Sequence, residues 1–212
     1  MSKSDKWSRR EPTMIKFVQI GTSNANDECY RVVKDKDIEL GVLVEPMPEM
    51  ADLAEECYEG IENIHMERIA IVDDKGFKKY SDGYIPIYYY WPNTAFNCVV
   101  RDHTKSFNRD GSLGELHSFL APIMTMNQLF EKYSINELDY LFVDVEGLDG
   151  DVIKSIDLDK YKIKEIVFEH IHLHRGKVKE VDLRNHLVDY GYQFGGAGIK
   201  RERRRDTRAI LK

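Results

Sequence analysis

Two acids separated by one residue follow an apolar run near the middle of the chain. Asp144 and Glu146 come directly after the segment 139–143. In extended backbone, residues i and i+2 lie on the same face, so both carboxylates can face one pocket. Neighbouring carboxylates repel each other, which raises a pKa toward the range in which a carboxylate works as a general base. A structural alternative is that these acids cap the helix that begins near Asp149.

A second group of polar side chains follows a later apolar run. Glu169 ends that run, and three histidines at positions 170, 172 and 174 come next. His170 lies closest to the strand end, and a neutral imidazole is a good base near pH 7. His170 and His172 with an acid are also a conceivable site for a divalent metal, although histidines spaced by two often mark an exposed strand edge. We expect His170 to act as a base or to bind the substrate that accepts the transferred group. We expect no bound metal.

A single glycine ends the first apolar run, Ile15–Ile20. Gly21 lets the chain turn tightly and brings backbone N–H groups close to a ligand. The loop lacks the further glycines of a G-x-G-x-x-G pyrophosphate site. It suits a smaller zwitterionic head group, such as the methionine part of S-adenosylmethionine.

Glu45 ends the second apolar run, Leu40–Val44, and Pro46 follows it. A carboxylate in that place can accept hydrogen bonds from both ribose hydroxyls of an adenosine group. A nicotinamide dinucleotide would use the same acid, so Glu45 alone does not separate the two cofactors. The acid and the glycine loop together favour an adenosine-containing ligand.

Strand-like and helical segments alternate along the chain, which predicts an α/β fold with a parallel, doubly wound sheet. Ligands bind such sheets beyond the carboxyl ends of the strands, where Gly21, Glu45, Asp73, Asp144 and Glu169 are expected to converge. We expect a tail over 1–13, one domain over 14–212, and an insertion or lid-like loop over 93–122. Strands are predicted at 15–20, 40–45, 64–72, 84–91, 139–144, 164–169, 191–194 and 205–211, and helices at 27–36, 49–59, 125–133, 149–156 and 177–189.

Composition excludes several classes of function. The 212 residues carry 31 Lys and Arg against 37 Asp and Glu, a net charge of −6, so nucleic acid is not expected as a partner. The basic run 200–205 is interpreted as a solvated hairpin or, alternatively, as a binding surface for an anionic substrate. No segment is long and apolar enough to span a membrane. The charged N-terminus and three cysteines without C-x-x-C spacing predict a cytoplasmic protein with reduced thiols.

Six segments in order and spacing resemble the FkbM family of methyltransferases. The most specific is Asp144-Val145-Glu146-Gly147 with the helical segment 152–157 after it. The resemblance covers roughly residues 15–211. The other segments that carry it are 17–22, 44–48, 166–172 and 206–210.

This resemblance implies a Rossmann-like methyltransferase fold: a seven-stranded, mostly parallel sheet with an antiparallel last strand and helices on both faces. It also implies methyl transfer from S-adenosylmethionine to a hydroxyl of a sugar, glycan or related small molecule. Carried over by position, the cofactor contacts are Gln19, Gly21 and Thr22 for the methionine part, Glu45 for the ribose, and Ala70 and Asp73 for the adenine.

The sequence departs from the family in two respects. Many members carry Gly-Ala-Asn and a second glycine where this chain has Gly21-Thr22-Ser23-Asn24-Ala25, and the chain is short. Two other functions are therefore kept as alternatives. One is a non-catalytic binding subunit of the same fold. The other is a nicotinamide-dependent oxidoreductase, which the missing glycines and the missing Tyr-x-x-x-Lys pair after the strand 139–144 disfavour.

Overall fold

The computed structural model describes residues 14–92, 108, 111–170, 173, 177–194 and 206–212. Within them, the strands are β1 Ile15–Ile20, β2 Ile38–Val44, β3 Ile64–Glu67, β4 Ala70–Ile71, β5 Tyr84–Pro92, β6 Gly114–Met124, β7 Glu137–Val143, β8 Lys162–Glu169, β9 Tyr192–Phe194 and β10 Asp206–Leu211. The helices are α1 Glu28–Val33, α2 Pro48–Cys57, α3 Asp74–Lys79, α4 Met126–Lys132, α5 Asp149–Lys154 and α6 Glu180–Asp189.

Seven strands form the main sheet in the order β3-β2-β1-β7-β8-β10-β9. The pairs β1–β2, β2–β3, β1–β7 and β7–β8 are parallel, whereas β10 runs antiparallel to both β8 and β9. This confirms the predicted α/β fold with its antiparallel last strand. The strand order reverses at β1, which pairs with β2 on one side and β7 on the other. Ligands bind open α/β sheets beyond the strand ends at such a reversal.

Side chains that alternate along the strands fill two hydrophobic cores, one on each face of the sheet. Val18 and Ile20 of β1 pack into the core that contains α4, α5 and α6. Phe17 belongs to the opposite core with residues of α1 and α2. Because side chains alternate between the two faces along each strand, helices pack on both faces of the sheet. The ends of the strands are left uncovered by these helices.

The third strand predicted within 64–72 is present, but this segment contains two strands rather than one. β3 ends at Glu67 in the main sheet, and β4 begins at Ala70 in a second sheet of order β4-β6-β5. The two residues between them, Arg68 and Ile69, redirect the chain from one sheet to the other. A continuous apolar pattern cannot show such a change of partner strand.

The predicted insertion over 93–122 is not a loop along its whole length. Residues 114–122 belong to β6, which pairs antiparallel with β5 from Tyr84↔Pro122 to Pro92↔Gly114. Residues 93–107, 109 and 110 lie outside the described part of the chain, as do the expected tail 1–13, His172, His174 and the basic run. Among the described residues no helix is long and apolar enough to cross a membrane.

Candidate active site

The loop after β1 lies against the end of β7 through a glycine. Gly21 has φ +78°, and a Cβ at this position would lie 1.8 Å from the backbone oxygen of Asp144. The backbone amides of Gly21 and Thr22 donate to the oxygen of Val44, at 2.9 and 3.1 Å. Only glycine allows this close approach of two chain segments, so Gly21 joins the ends of β1, β2 and β7.

Glu45 fixes the same loop from the end of β2. Its side chain is 2% exposed. Oε2 accepts a hydrogen bond from the amide of Ser23 at 2.8 Å, and Oε1 accepts one from the amide of Met47 at 2.9 Å. Each carboxylate oxygen can accept more than one hydrogen bond, so these contacts orient Glu45 without using up its acceptor capacity.

A cavity of about 200 Å³ lies beyond the ends of β1, β2 and β7; we call it the glycine-loop cavity. Its lining combines the polar groups of Gly21, Ser23 and Glu45 with aliphatic side chains. Ala70, a predicted contact, is one of the aliphatic residues. The lining residues are Ile20, Gly21, Ser23, Val44, Glu45, Pro46, Ile69, Ala70, Ile71, Ile87, Asp144, Val145, Glu146 and Leu148.

A second cavity, of about 190 Å³, shares Ile20 and Asp144 with the first; we call it the acidic cavity. It lies beyond the ends of β1, β7 and β8, and Gln19 belongs to its wall. The lining residues are Gln19, Ile20, Asp27, Glu28, Cys29, Phe142, Val143, Asp144, Val167, Phe168, Glu169 and Asp206. Asp144 therefore stands at the boundary between two adjoining cavities, and Glu146 faces the glycine-loop cavity.

The pKa of Asp144 lies well above the ordinary range of an aspartate. Desolvation of its carboxyl by the surrounding protein is the main cause, although the residue as a whole is exposed, and repulsion from the carboxylates of Glu169, Asp149, Glu146 and Asp206 adds to it. The sequence predicted repulsion between Asp144 and Glu146, and the fold adds three further acids. Such a carboxylate holds a proton more tightly than a solvated one, which is the property that a general base needs.

Gln19 and Thr22 are buried residues that make side-chain contacts at the loop after β1. Gln19 is 4% exposed and donates from Nε2 to Oδ2 of Asp27, the N-cap of α1. Thr22 is fully buried, and its Oγ1 lies 3.4 Å from the backbone oxygen of Val44. Gln19 thus reaches the acidic cavity, whereas the Thr22 side chain packs beneath the loop.

Two other predicted residues lie farther from the cavities. Nδ1 of His170 is 3.1 Å from Oγ1 of Thr207 at the edge of β10. Asp73 is the N-cap of α3 and accepts from the amide of Gly76 at 2.6 Å. It belongs to the wall of a third cavity together with Lys75 and other residues. Among the described residues, no group of three or more His, Cys, Asp or Glu could hold a metal ion.

Sequence reasoning missed most of the aliphatic wall of the glycine-loop cavity. Ile87 comes from β5 of the second sheet, and Ile69 and Ile71 flank Ala70 near the second sheet. Leu148 precedes α5. In the sequence these residues cannot be distinguished from core residues, since an aliphatic side chain does not indicate whether it contacts a ligand. Ser23 was also missed, and its contact to Glu45 is made by a backbone amide that any residue could supply.

The fold is Rossmann-like, and its strand order reverses where the two cavities lie. Residues 19–194 match the family described as Methyltransferase FkbM domain, and the chain therefore belongs to the FkbM methyltransferase family.

The chain is also similar in structure to a crystal structure of the methyltransferase FkbM from Methylobacillus flagellatus KT, with 14% sequence identity and a TM-score of 0.54. That match covers 93% of this chain and 44% of the other, so the chain spans less than half of that protein's length. Magnesium protoporphyrin IX methyltransferase from Synechocystis PCC 6803, solved with bound S-adenosylmethionine, matches at 10% identity and a TM-score of 0.46. It is covered over 71% of its length, against 94% of this chain. No curated protein matches the chain significantly.

Proposed function

We propose that this protein is an S-adenosylmethionine-dependent O-methyltransferase that acts on a hydroxyl of a sugar, glycan or related small molecule. The observation that carries the proposal is that Gly21 and Glu45 line the same cavity at the reversal point of the sheet. Family membership supports methyl transfer, and the position and chemistry of the two cavities support the assignment of the ligands.

The residues of the glycine-loop cavity fit an adenosine group. Glu45 is a buried carboxylate held in one orientation by two backbone amides, so it can accept hydrogen bonds from the two ribose hydroxyls. Ala70, Ile71 and Leu148 supply an aliphatic surface on which an adenine ring can lie. S-adenosylmethionine would supply there a methyl group on a sulfonium, which is a reactive electrophile.

The acidic cavity fits the acceptor. Its carboxylates can accept hydrogen bonds from acceptor hydroxyls, and Phe142, Val167 and Phe168 supply apolar contacts. Asp144 lies at the boundary of the two cavities, where acceptor oxygen and methyl group must meet in line. Asp144 is placed to accept the proton of the acceptor hydroxyl, and S-adenosylmethionine in the adjoining cavity would supply the methyl group to that oxygen.

Glu146 and His170 are the other residues that we assign to the reaction. Glu146 lies two residues after Asp144 and lines the glycine-loop cavity. It is therefore placed to bind the substrates near the reacting groups. His170 follows Glu169, whose side chain lines the acidic cavity, and contacts Thr207. We propose His170 as an acceptor ligand or an auxiliary base rather than the main base.

Replacement of the base tests this assignment. Asp144→Asn is expected to lower kcat by about 10²–10⁴-fold, the usual contribution of a general base, and to leave affinity for S-adenosylhomocysteine nearly unchanged. The assay measures methylated product by mass spectrometry with isotopically labelled cofactor and a panel of sugars and glycans. In the wild-type protein turnover should rise with pH toward the raised pKa of Asp144, because the base must be ionised.

Asp139→Asn is the matched control. Asp139 lies on the same strand β7 but accepts from Lys16 and Lys164, away from both cavities. We expect it to keep kcat. Normal turnover in Asp144→Asn, Glu146→Gln and His170→Ala alike, with cofactor affinity intact, would show that the catalytic assignment is wrong.

A further inference from the structure

Asp149 is a fully buried carboxylic acid to which the proposed reaction gives no role. It is the first residue of α5, it is 0% exposed, and neither cavity wall includes it. A carboxyl group in that position is costly, because burial of a charge or of an unpaired polar group costs free energy. A buried acid of this kind requires a compensating contact or a function.

The contact that Asp149 makes is with the turn that carries the two candidate catalytic acids. Its Oδ2 accepts a hydrogen bond from the backbone amide of Gly147 at 3.2 Å. Within this turn Glu146 has φ +56° and Gly147 has φ +98°. A non-glycine residue in the left-handed region is strained, and such strain persists only where surrounding contacts hold it. Asp149 supplies one of these contacts.

The surroundings of this carboxyl favour its protonated form. Burial raises the pKa of Asp149 to about 8 and the charge of Glu169 adds to this, whereas the backbone amides of Asp149 itself, Gly147 and Val145 act in the opposite direction. Its other oxygen, Oδ1, has no hydrogen-bond partner among the described residues.

We propose that Asp149 is a positioning residue, whose buried carboxyl holds the turn 145–148 so that Glu146 faces the glycine-loop cavity and Asp144 stands between the two cavities. The expected effect on turnover depends on the proposed function. The contact by which Asp149 holds the turn in place does not depend on it. The backbone of the same segment also supports Gly21, which contacts the oxygen of Asp144.

Ionisation of Asp149 would oppose this role. The charged groups that face this region are Glu169 on β8 and Asp206 on β10, with Asp144 directly before the turn and Glu146 within it. From the side of α6, Val178 packs on Gly150, and the amide of Lys177 donates to Asp151. A further negative charge on Asp149 is therefore unfavourable, and we expect turnover in the wild-type protein to fall as the pH rises above about 8.

Two substitutions separate the hydrogen bond from the ionisation. Asp149→Asn keeps an oxygen that accepts from Gly147 but cannot ionise. It should keep kcat and KM at pH 7 and should lose the fall in turnover above pH 8. Asp149→Leu removes the acceptor at similar volume. It should lower kcat by about 10- to 100-fold, the effect of a displacement near 1 Å, with cofactor affinity changed little.

Hydrogen exchange measured by mass spectrometry provides a readout that does not need turnover. Exchange of the segment 144–149 should be faster in Asp149→Leu than in the wild-type protein and unchanged in Asp149→Asn at pH 7. If the protein fails to bind S-adenosylmethionine, the proposed function is wrong, while this exchange result still tests the hold on the turn.

The inference is overturned if Asp149→Leu folds with wild-type exchange and wild-type kcat. It is also overturned if the pH profile of Asp149→Asn superimposes on that of the wild-type protein. Should Asp149→Leu fail to fold, the comparison of Asp149→Asn with the wild-type protein across pH 6–9 still decides between the two results.

Discussion

At the scale of single residues, the backbone of Gly21 and the carboxylate of Glu45 do different work in the same cavity. Gly21 brings two chain segments within contact, and Glu45 supplies the oriented acceptor. Both were predictable from the sequence, because a glycine and an acid directly after apolar strands are rare enough to notice. For Asp73 the sequence left a cofactor contact and a structural turn equally open, and the structure shows a capping contact. The burial of Asp149 was missed because it cannot be predicted from an acid at a helix start.

Gly21→Ala is expected to be strongly destabilising. The added Cβ would meet the backbone oxygen of Asp144 at 1.8 Å in a conformation that alanine rarely adopts. Strain and overpacking together should lower the free energy of unfolding by about 2–5 kcal/mol, measured by urea denaturation, and should remove cofactor binding.

The matched control is Gly60→Ala. Gly60 has a similar φ of +82°, but nothing lies within 4 Å of its Cβ position. Only the backbone strain remains, so the loss should be about 1–2 kcal/mol, with cofactor binding retained. Equal effects of the two substitutions would contradict the assigned contact between the loop and β7.

At the scale of secondary-structure elements, the apolar periodicity and the helix-capping residues of the sequence predicted the main sheet well. They predicted the second sheet poorly. The strands at 15–20, 139–144 and 164–169 were found because each is a short apolar run that ends at a glycine or an acid. The sequence analysis placed β4 in the same segment as β3 and interpreted most of β6 as part of an insertion, because strand pairing depends on tertiary contacts between segments distant in sequence. Ala70, Ile71 and Ile87 of the glycine-loop cavity come from this second sheet.

Helix α4 provides a test of local structure that is independent of the site. Thr125 Oγ1 accepts from the amide of Gln128 at 3.2 Å, and Gln128 Oε1 accepts from the amide of Thr125 at 2.9 Å. Thr125→Val removes this capping box at constant shape and should lower the free energy of unfolding by about 1 kcal/mol.

Thr125→Ser keeps the hydroxyl and is expected to retain most of that free energy. Both variants should bind the cofactor as the wild-type protein does, because Thr125 belongs to neither cavity wall. A loss of cofactor affinity in either variant would show that α4 and the site are coupled, contrary to this account.

At the scale of the whole molecule, the order of the strands decides where chemistry can occur. The sheet reverses its strand order at β1, and both cavities lie at that point, side by side, with Asp144 shared. The sequence predicted the convergence of strand ends from the alternation of elements alone. It could not predict that the acids would divide between two cavities, because that division depends on how β8 and β10 pair beside β7.

The central claim is that the glycine-loop cavity binds the adenosine part of the cofactor through Glu45, and calorimetry tests it most directly. We predict that S-adenosylmethionine and S-adenosylhomocysteine bind with one site per chain and that NAD does not bind. Glu45→Gln should weaken this binding by about 10- to 100-fold, as expected for lost hydrogen bonds to a charged group.

Glu67→Gln is the matched control, since Glu67 is a buried acid at the end of the neighbouring strand β3 and contacts Lys132 and Tyr133 instead. Its cofactor affinity should equal that of the wild-type protein. Absence of binding by the folded wild-type protein, binding of NAD in place of the sulfonium ligands, or equal affinities of Glu45→Gln and the wild-type protein would contradict the account.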